Sequence, residues 1–326
     1  NKKIINSIKK TITHDFEKGI KYERKAFLDL KNSEDSKALI HVFLSERRTK
    51  KIPEISSKSS SLYLFKKIGL IGSGKMGNGI AISCLKAGKK VFLIEKDKKK
   101  LLQGKKNIFL ILENDLQKKR ITKEQFKLYT NSLIISNNIE CLVCVDIIIE
   151  AIFEDLNQKK LLFRKLDEKL PKRIFFGTNT SYLSVEELAY STSRPEKFIG
   201  LHFFSPANKM KLIEIIITQK VSNKLVHSCF NFAKNLNKIP VRSSDHKGFI
   251  GNSILSCYSK LIFYLVEDGM SPYKIDKILK KFGYPIGFHQ MIDLAGGEIS
   301  WSNRKRNKKN ISDKERYTEI PDILCE

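Results

Sequence analysis

The chain has 326 residues, which is enough for two ordinary domains and a connecting segment. Hydrophobic residues make up 41% of the sequence, and no apolar stretch approaches the ~20 residues that a membrane helix needs, so a membrane-spanning protein is excluded. The formal net charge is +26, but Lys and Arg are spread over nearly every segment and no nucleic-acid motif is present, so we predict a solvated basic surface and no specific nucleic-acid partner.

The predicted elements begin with a polar helical segment, residues 1–50, followed by a Ser-rich linker, residues 51–66. From Lys67, short β-branched runs alternate with amphipathic stretches. We predict strands near 67–72, 90–95, 145–150, 174–178, 198–203 and 211–217, and helices near 76–88, 97–118, 157–170 and 222–236. This alternation is typical of a parallel sheet with crossover helices, so residues 67–243 are predicted to form an α/β domain. Beyond Ser243 the pattern of Gly251–Glu267 and Ser271–Lys281 predicts a helical domain, residues 244–326.

Six cysteines are scattered through apolar segments, without the density of a disulfide-stapled secreted domain. We therefore predict free thiols in a reducing compartment. Cys141 and Cys144 have the spacing of a redox or zinc motif, but no second pair or nearby histidine accompanies them. The run from Cys141 to Phe153 is predicted to be a buried strand entering a functional loop, so we expect these cysteines to be ordinary buried packing residues and expect no metal site.

A glycine-rich motif follows the first predicted strand. Gly72-Ser-Gly74-Lys-Met-Gly77 lies between that strand and a helix, and Glu95 ends the second strand 23 positions beyond Gly72. This is the context of a dinucleotide-binding turn: Gly72 permits the turn, Gly74 lets the backbone approach a pyrophosphate, and Gly77 allows close helix–strand packing. The N–H groups of the helix N-terminus then face the phosphates. Because the Glu95 carboxylate suits a ribose hydroxyl and repels a 2′-phosphate, we predict NAD as the cofactor.

Three polar residues stand out further along the chain. Ser181 follows Asn179-Thr, while His202 and Glu214 each interrupt a strand-like apolar run. Each has an ordinary explanation, since Ser181 could cap a helix, His202 could be a satisfied core histidine and Glu214 an edge charge. In a chain that already carries a dinucleotide motif, the combination favours a catalytic role.

The motifs occur in an ordered combination that runs from near Ser33 to Glu326. They are Gly72-x-Gly-x-Met-Gly-x-Gly-Ile-Ala, Glu150-Ala-Ile-Phe-Glu154-Asp, Asn179-Thr-Ser181, His202-Phe-Phe-Ser-Pro-Ala, Gly248-Phe-Ile-Gly-Asn252 and Asp293-Leu-Ala-Gly. By this combination the chain resembles the L-3-hydroxyacyl-CoA dehydrogenases, and within them the bifunctional hydratase/dehydrogenase enzymes of peroxisomes. The resemblance implies a Rossmann-type doubly wound, mostly parallel sheet followed by an all-helical domain. It also implies NAD-dependent oxidation of L-3-hydroxyacyl-CoA to 3-oxoacyl-CoA in fatty acid β-oxidation.

The resemblance implies roles for individual residues. His202 would be the catalytic base, Glu214 its partner, Ser181 a hydrogen-bond donor to the 3-oxygen of the substrate and Asn252 an orienting group. A neutral imidazole can take a hydroxyl proton near pH 7, and a carboxylate stabilises the imidazolium that forms. Besides the three glycines and Glu95, the residues expected to contact NAD are Lys75, Met76, Ala151, Glu154, Lys159, Ser181 and Ser205.

The N-terminal segment also resembles part of that enzyme branch. Ala38-Leu-Ile-His-Val-Phe-Leu-Ser-Glu-Arg-Arg-Thr-Lys50 is similar to the helix that joins the hydratase half to the dehydrogenase half, so the paired glutamates of the hydratase would lie upstream of this chain. Without an initiator Met, a signal peptide or a targeting tripeptide, both ends look like cuts through a longer protein. The resemblance implies a peroxisomal location and an acyl-CoA substrate. It leaves open a dimer, or packing against the missing hydratase half.

The chain departs from the family at three positions of the helical domain. Lys247, Ser253 and Phe288 stand where the family has Pro, Arg and Pro. This domain is expected to close over the acyl chain, so these departures bear on substrate affinity more than on chemistry. Family members continue through further helices, so the helical domain is expected to be truncated.

Two other functions remain open at this point. One is a catalytically silent NAD-binding remnant, and the other is a basic nucleic-acid-binding protein that uses runs such as Arg304-Lys-Arg-Asn-Lys-Lys309. Retention of Ser181, His202, Glu214 and Asn252 together favours the enzyme. Loss of NADH absorbance with acetoacetyl-CoA would distinguish an active enzyme from a protein whose nucleic-acid binding falls steeply with salt.

Overall fold

The computed structural model describes residues 2–49, 51–54, 61–307 and 316–325. The chain divides into two compact units, Asn1–Pro53 and Glu54–Glu326. Within its described part, the smaller unit consists of helices α1 (Lys2–Thr13), α2 (Phe16–Lys31) and α3 (Glu34–Arg48). Asp15 and Ser33 start α2 and α3, since their side chains accept hydrogen bonds from first-turn N–H groups.

In the described part of the larger unit, eight strands form one sheet in the order β3-β2-β1-β4-β5-β6-β7-β8. The strands are β1 (Lys67–Ile71), β2 (Lys90–Ile94), β3 (Leu133–Ser136), β4 (Ile147–Glu150), β5 (Phe175–Thr178), β6 (Phe198–Phe203), β7 (Leu212–Ile217) and β8 (Ile239–Ser244). All neighbours are parallel except β6 and β7. β2 and β3 extend the sheet on one side of β1, and β4 to β8 extend it on the other side. This order confirms the predicted doubly wound, mostly parallel sheet.

Helices cover both faces of this sheet. They are α4 (Lys75–Lys86), α5 (Lys98–Gln117), α6 (Lys123–Asn131), α7 (Leu156–Lys169), α8 (Val185–Ala189) and α9 (Asn223–Asn235). Polar N-cap side chains start five of them: Asp97, Thr122, Asp155, Ser184 and Ser222. Because helices cover both faces, central strands such as Ile147–Glu150 are buried along their whole length.

The described chain after β8 is helical, as predicted. Its helices are α10 (Gly251–Glu267), α11 (Pro272–Phe282), α12 (Phe288–Ala295), α13 (Glu298–Asn307) and α14 (Ile320–Cys325). Ile262, Ile275 and Phe288 form a small core between α10, α11 and α12. The Asp276 carboxylate accepts hydrogen bonds from the N–H groups of His289 and Gln290, which ties α11 to the first turn of α12. None of the helices in the described chain is long and apolar enough to cross a membrane.

The structure corrects the prediction for the run from Cys141 to Phe153. Its first part belongs to a 3₁₀ helix, Ile139–Cys144, and only Ile147–Glu150 is a strand. Only Leu142 of the 3₁₀ helix is buried, and it packs against the strand glycine Gly69. Cys141 is exposed and Cys144 partly exposed, so the expectation of buried cysteine packing was wrong. Within the described residues, no group of three or more His, Cys, Asp or Glu side chains could hold a metal ion.

The segment predicted as a linker includes residues 55–60, which lie outside the described residues. Its last part packs on the sheet, since Phe65 is buried between the rings of Phe175 and Phe232. The Tyr63 N–H also donates a hydrogen bond to Ser228 of α9 at 2.9 Å. Strands β3 and β8 and helix α6 were not predicted.

Candidate active site

The turn after β1 requires glycine at two positions. Gly72 has φ +106°, and a Cβ there would lie 2.5 Å from the carbonyl oxygen of Ala151 on the neighbouring strand connection. A Cβ at Gly77 would lie 1.9 Å from the carbonyl oxygen of Gly72. Any other residue at either position would therefore displace the turn or the first turn of α4.

The first turn of α4 forms an open cradle. Gly74 is the N-cap and supplies no side-chain cap, and a Cβ at Gly74 would meet no protein atom within 4 Å. The space beside Gly74 is therefore open, and no side chain caps the N–H groups of this turn, which fits the pyrophosphate of a dinucleotide. The side chain of Lys75 reaches the helical domain, where its Nζ donates a hydrogen bond to the carbonyl oxygen of Leu294 near the end of α12 (2.7 Å). Met76, in the same turn, is half-buried.

Glu95 lies directly after β2, beside this turn. Its Oε2 accepts hydrogen bonds from the N–H and hydroxyl of Ser73 (3.2 and 3.3 Å), and its Oε1 accepts from the N–H of Asp97 (3.3 Å). The carboxylate is held at the rim of the cradle and partly exposed, so it can also accept hydrogen bonds from a ribose. The residues present therefore fit NAD at its adenosine end.

A buried ion cluster lies at the carboxyl ends of β4 and β5. Lys159 of α7 is only 1% exposed, and its Nζ contacts Glu150 Oε1 at 2.6 Å and Glu154 Oε2 at 3.3 Å. The Thr178 hydroxyl and the Ile152 N–H donate to Glu150 at 2.7 Å each. Glu154 and Lys159 were predicted to contact the cofactor, whereas no role was predicted for Glu150. The sequence did carry a signal for Glu150, because a charged residue directly follows the apolar run Ile147–Ile149.

Glu154 connects the ion cluster to the loop that contains Ser181. Its Oε1 accepts hydrogen bonds from the N–H groups of Ser181 (2.7 Å) and Tyr182 (3.1 Å) and from the Thr180 hydroxyl. Burial acts to raise the pKa of Glu154, but Lys159 and these hydrogen bonds outweigh it and lower the pKa below its ordinary value. Glu154 is thus an ionised, fixed group between α7 and the Ser181 loop.

His202 and Glu214 form a buried pair. They face each other across the antiparallel β6–β7 ladder, and His202 Nδ1 lies 2.6 Å from Glu214 Oε2. The second carboxylate oxygen, Oε1, accepts hydrogen bonds from the N–H groups of Ile250 (3.0 Å) and Gly251 (2.8 Å) at the start of α10. Burial acts to raise the pKa of Glu214, but the bonds from His202, Gly251 and Ile250 outweigh it and lower the pKa below its ordinary value.

Two phenyl rings enclose the imidazole. The ring centroid of Phe204 lies 4.7 Å from that of His202, and the centroid of Phe249 lies 5.5 Å from it. Phe249 is buried and has φ +51°, a left-handed conformation that bulky residues rarely adopt. Phe249 lies within the Gly248–Asn252 motif, but no role was predicted for it. Ser205, three residues beyond His202, is exposed and precedes a cis peptide bond to Pro206.

The remaining predicted residues connect these parts. The side-chain oxygen of Asn179 accepts a hydrogen bond from the Phe203 N–H at 2.8 Å, which ties the loop after β5 to the end of β6. Asn252 Nδ2 donates to the carbonyl oxygen of Ser181 at 3.4 Å. The structure therefore brings Ser181 and Asn252 together beside the ends of β5 and β6.

Two family models match consecutive parts of this chain. Residues 67–246 match the family model described as 3-hydroxyacyl-CoA dehydrogenase, NAD binding domain, and residues 248–326 match 3-hydroxyacyl-CoA dehydrogenase, C-terminal domain. The chain belongs to the 3-hydroxyacyl-CoA dehydrogenase family. The glycine-rich cradle and Glu95 thus lie in the NAD-binding domain of this family, and so does the His202–Glu214 pair.

Curated relatives of this 3-hydroxyacyl-CoA dehydrogenase family member are larger. The chain is 36% identical over 99% of its length to the peroxisomal bifunctional enzyme of Cavia porcellus, and 34% identical over 99% to that of Homo sapiens. It is also 31% identical over 94% of its length to a glyoxysomal fatty acid beta-oxidation multifunctional protein of Brassica napus. The chain spans 46% of the first two relatives and 42% of the third, so it covers about half of their length.

Solved structures of the same family share the fold. The 3-hydroxybutyryl-CoA dehydrogenase of Escherichia coli matches with a TM-score of 0.74 and 28% identity, covering 81% of this chain and 57% of that one. The (S)-3-hydroxybutyryl-CoA dehydrogenase of Ralstonia eutropha matches with a TM-score of 0.74 and 26% identity, covering 80% of this chain and 94% of that one.

Proposed function

We propose that this chain catalyses the NAD-dependent oxidation of L-3-hydroxyacyl-CoA to 3-oxoacyl-CoA. The observation that carries the proposal is the buried His202–Glu214 pair, with Nδ1 and Oε2 2.6 Å apart, in a sheet whose first turn is an open dinucleotide cradle. A base beside a dinucleotide site is what the oxidation of a secondary alcohol needs. Membership of the 3-hydroxyacyl-CoA dehydrogenase family supports the same reaction.

In this mechanism His202 is the base. Its Nδ1 is bound to Glu214, so Nε2 is the ring nitrogen that takes the proton of the 3-hydroxyl group. Glu214 fixes the ring and stabilises the imidazolium. NAD, when bound, supplies the acceptor for the hydride from C3. Ser181 donates a hydrogen bond to the 3-oxygen of the substrate. Asn252 holds the Ser181 loop by donating a hydrogen bond to the carbonyl oxygen of Ser181.

We propose that NAD extends from the glycine-rich cradle toward His202. Glu95 would bind the adenosine ribose at the rim of the cradle, and Glu154 would lie at the nicotinamide end. Lys159 is buried and bound to two carboxylates, so it would act through Glu154. The proposed set of residues that hold the cofactor, directly or in the case of Lys159 through Glu154, is Gly72, Gly74, Lys75, Met76, Gly77, Glu95, Ala151, Glu154, Lys159, Ser181 and Ser205.

The role of the whole protein is a further part of this proposal. The curated relatives are named as peroxisomal bifunctional and glyoxysomal β-oxidation multifunctional proteins. We propose that the chain is the dehydrogenase section of such an enzyme, that it acts on fatty acyl-CoA esters and that it works in the peroxisome. The domain boundaries after residues 50, 66 and 243 are part of the proposal.

Kinetics with acetoacetyl-CoA and NADH test the reaction in its reverse direction. We expect NADH absorbance to fall only when both substrates are present, and we expect His202→Gln to abolish most of that rate. His227→Gln, which changes a half-buried histidine of α9, is the matched control and should retain it. A wild-type protein that binds NADH but leaves acetoacetyl-CoA unchanged would show a silent nucleotide-binding protein instead.

A further inference from the structure

The ion cluster of Glu150, Lys159 and Glu154 lies where the redox end of the cofactor must be. In the sheet, β4 and β5 lie between β1, which leads into the cradle, and β6, which carries His202. Hydride transfer requires the nicotinamide to lie beside the substrate that His202 deprotonates. A dinucleotide that spans from β1 to β6 therefore crosses the ends of β4 and β5. Glu150 is the last residue of β4, and Thr178, which donates to it, is the last residue of β5.

The cluster has an unbalanced charge. It contains one ammonium and two carboxylates, so as ions its members carry a net charge of −1. Glu150 is 0% exposed and Lys159 is 1% exposed, so water screens this charge little. The Ile152 N–H and the Thr178 hydroxyl both donate to Glu150, which is the arrangement that holds an ionised carboxylate.

We propose that Glu150 sets the charge at the nicotinamide end and thereby favours the oxidised cofactor over the reduced one. This inference rests on the proposed function. The oxidised nicotinamide ring carries a positive charge and the reduced ring is neutral, so a fixed net negative charge stabilises only the oxidised form. Glu150 acts through Lys159 and Glu154, which makes it a positioning and charge-setting residue.

The charge of the cluster also influences product release. A group that stabilises oxidised nicotinamide but not its reduced form weakens the relative binding of NADH. Release of the reduced cofactor is a slow step in many enzymes, so such a group favours turnover in the oxidative direction. Glu150 therefore contributes to the direction of the reaction although it contacts neither reacting carbon nor His202.

Affinities of NAD⁺ and NADH for three variants test the proposal. Glu150→Gln brings the cluster to zero net charge and should lower the preference for NAD⁺ by roughly tenfold, the order of magnitude expected when unit charges interact across a largely water-free site. The double variant Glu150→Gln/Lys159→Gln returns the net charge to −1 through Glu154 and should restore the wild-type ratio. Glu187→Gln, which changes an exposed partner of Lys160, is the matched control and should leave the ratio unchanged.

Calorimetric titration of the wild-type and variant proteins gives each dissociation constant without turnover. A lower ratio in Glu150→Gln that the double variant restores supports the inference, because a merely structural role would make the double variant worse. Equal ratios in all variants overturn it. If Glu150→Gln does not fold, Glu154→Gln also gives zero net charge and must show the same loss of preference. A wild-type protein that binds neither nucleotide refutes the proposed function itself.

Discussion

Replacing Glu214 by Gln tests the proposed mechanism most directly, because its two carboxylate oxygens have different partners. Oε2 contacts the imidazole of His202, and Oε1 accepts from the Ile250 and Gly251 N–H groups. A glutamine keeps one oxygen and replaces the other by an amide group that only donates. One of the two sets of N–H donors must therefore lose its acceptor.

Each orientation of the glutamine has a calculable consequence. If its oxygen serves the backbone of α10, its amide donates to His202 Nδ1, so the ring proton moves to Nε2 and the base is lost. The rate should then fall by about the ~10²–10⁴ that general-base catalysis contributes. If its oxygen serves the imidazole, two backbone N–H groups face a donor, which costs roughly 1–3 kcal/mol of stability for each group left unsatisfied.

The assay is turnover across pH, with thermal unfolding measured on the same proteins. We expect Glu214→Gln to lower kcat strongly, to leave NADH binding unchanged and to move the pH–rate midpoint to lower pH, because a neutral amide does not stabilise the imidazolium. His202→Gln should lower kcat by about 10²–10⁴. Because both residues serve one proton transfer, the double variant should be little worse than His202→Gln.

Glu113→Gln, an exposed change on α5, is the matched control. Losses that multiply in the double variant would refute the reasoning. A Glu214→Gln enzyme with unchanged kcat and pH profile would remove Glu214 from the mechanism. A second readout comes from stability: the lowered pKa of Glu214 stabilises the fold above its ordinary pKa of 4.5, and this contribution is lost as the pH falls through the lower folded value. Glu214→Gln should flatten that acid-side dependence.

Further predictions concern the cofactor site and the fold. Glu95→Ala should weaken NADH binding and narrow the preference over NADPH, since the carboxylate that repels a 2′-phosphate is gone; competitive titration measures both, and a wild type that binds NADPH as tightly as NADH contradicts the assignment. Gly77→Ala should lower both the melting temperature and NAD affinity because its Cβ meets backbone, whereas Gly74→Ala should weaken only NAD binding; equal effects of the two would refute the cradle. Asp167→Asn should lower the melting temperature by roughly 10 °C, because the buried Arg194 loses the negative charge that its Nε contacts at 2.7 Å and breaking such an ion pair costs about 3–5 kcal/mol. Burial acts to raise the pKa of Asp167, but hydrogen bonds from Ser193, Lys172 and Arg194 outweigh it and lower the pKa to about 2. The contribution of Asp167 to stability should therefore be fully present above about pH 4 and should be lost as the pH falls from there through the folded pKa of about 2.

The central sheet and its cradle could be predicted because their signals are local. The strands β1, β2 and β4 are β-branched runs, and the glycines of the first turn follow directly after β1. His202 and Glu214 could be matched for a similar reason, since each interrupts an apolar run and antiparallel strands bring such residues face to face.

The edge strands were missed for a physical reason. β3 and β8 lie at the two ends of the sheet and are less completely buried than β4. The apolar run of β3 is only three residues long and β8 ends in Arg-Ser-Ser, so neither gives the long apolar run that marks a central strand. β8 also contains Pro240, which argues against a strand and is tolerated at an edge.

The burial of Lys159 could not be predicted from the sequence. In a chain with 61 Lys and Arg residues, one more lysine on a helix gives no signal of burial. Only the packing of α7 over the sheet buries its ammonium between two carboxylates. Cys141 shows the opposite error. The apolar run around it predicted burial, but the residue lies in a 3₁₀ helix that leaves it exposed.

The hydrogen bonds that the start of α10 donates to Glu214 bear on which mutations this protein tolerates. Both donors are main-chain N–H groups, so the side chain of Ile250, which is 40% exposed, can be replaced without disturbing the histidine. Gly251 has no such freedom, since a Cβ there would lie 2.8 Å from the ring of Phe204. A recombination event that exchanged the helical domain would therefore preserve the proton-transfer pair only if the incoming segment kept glycine at position 251 and placed the N–H groups of residues 250 and 251 beside Glu214.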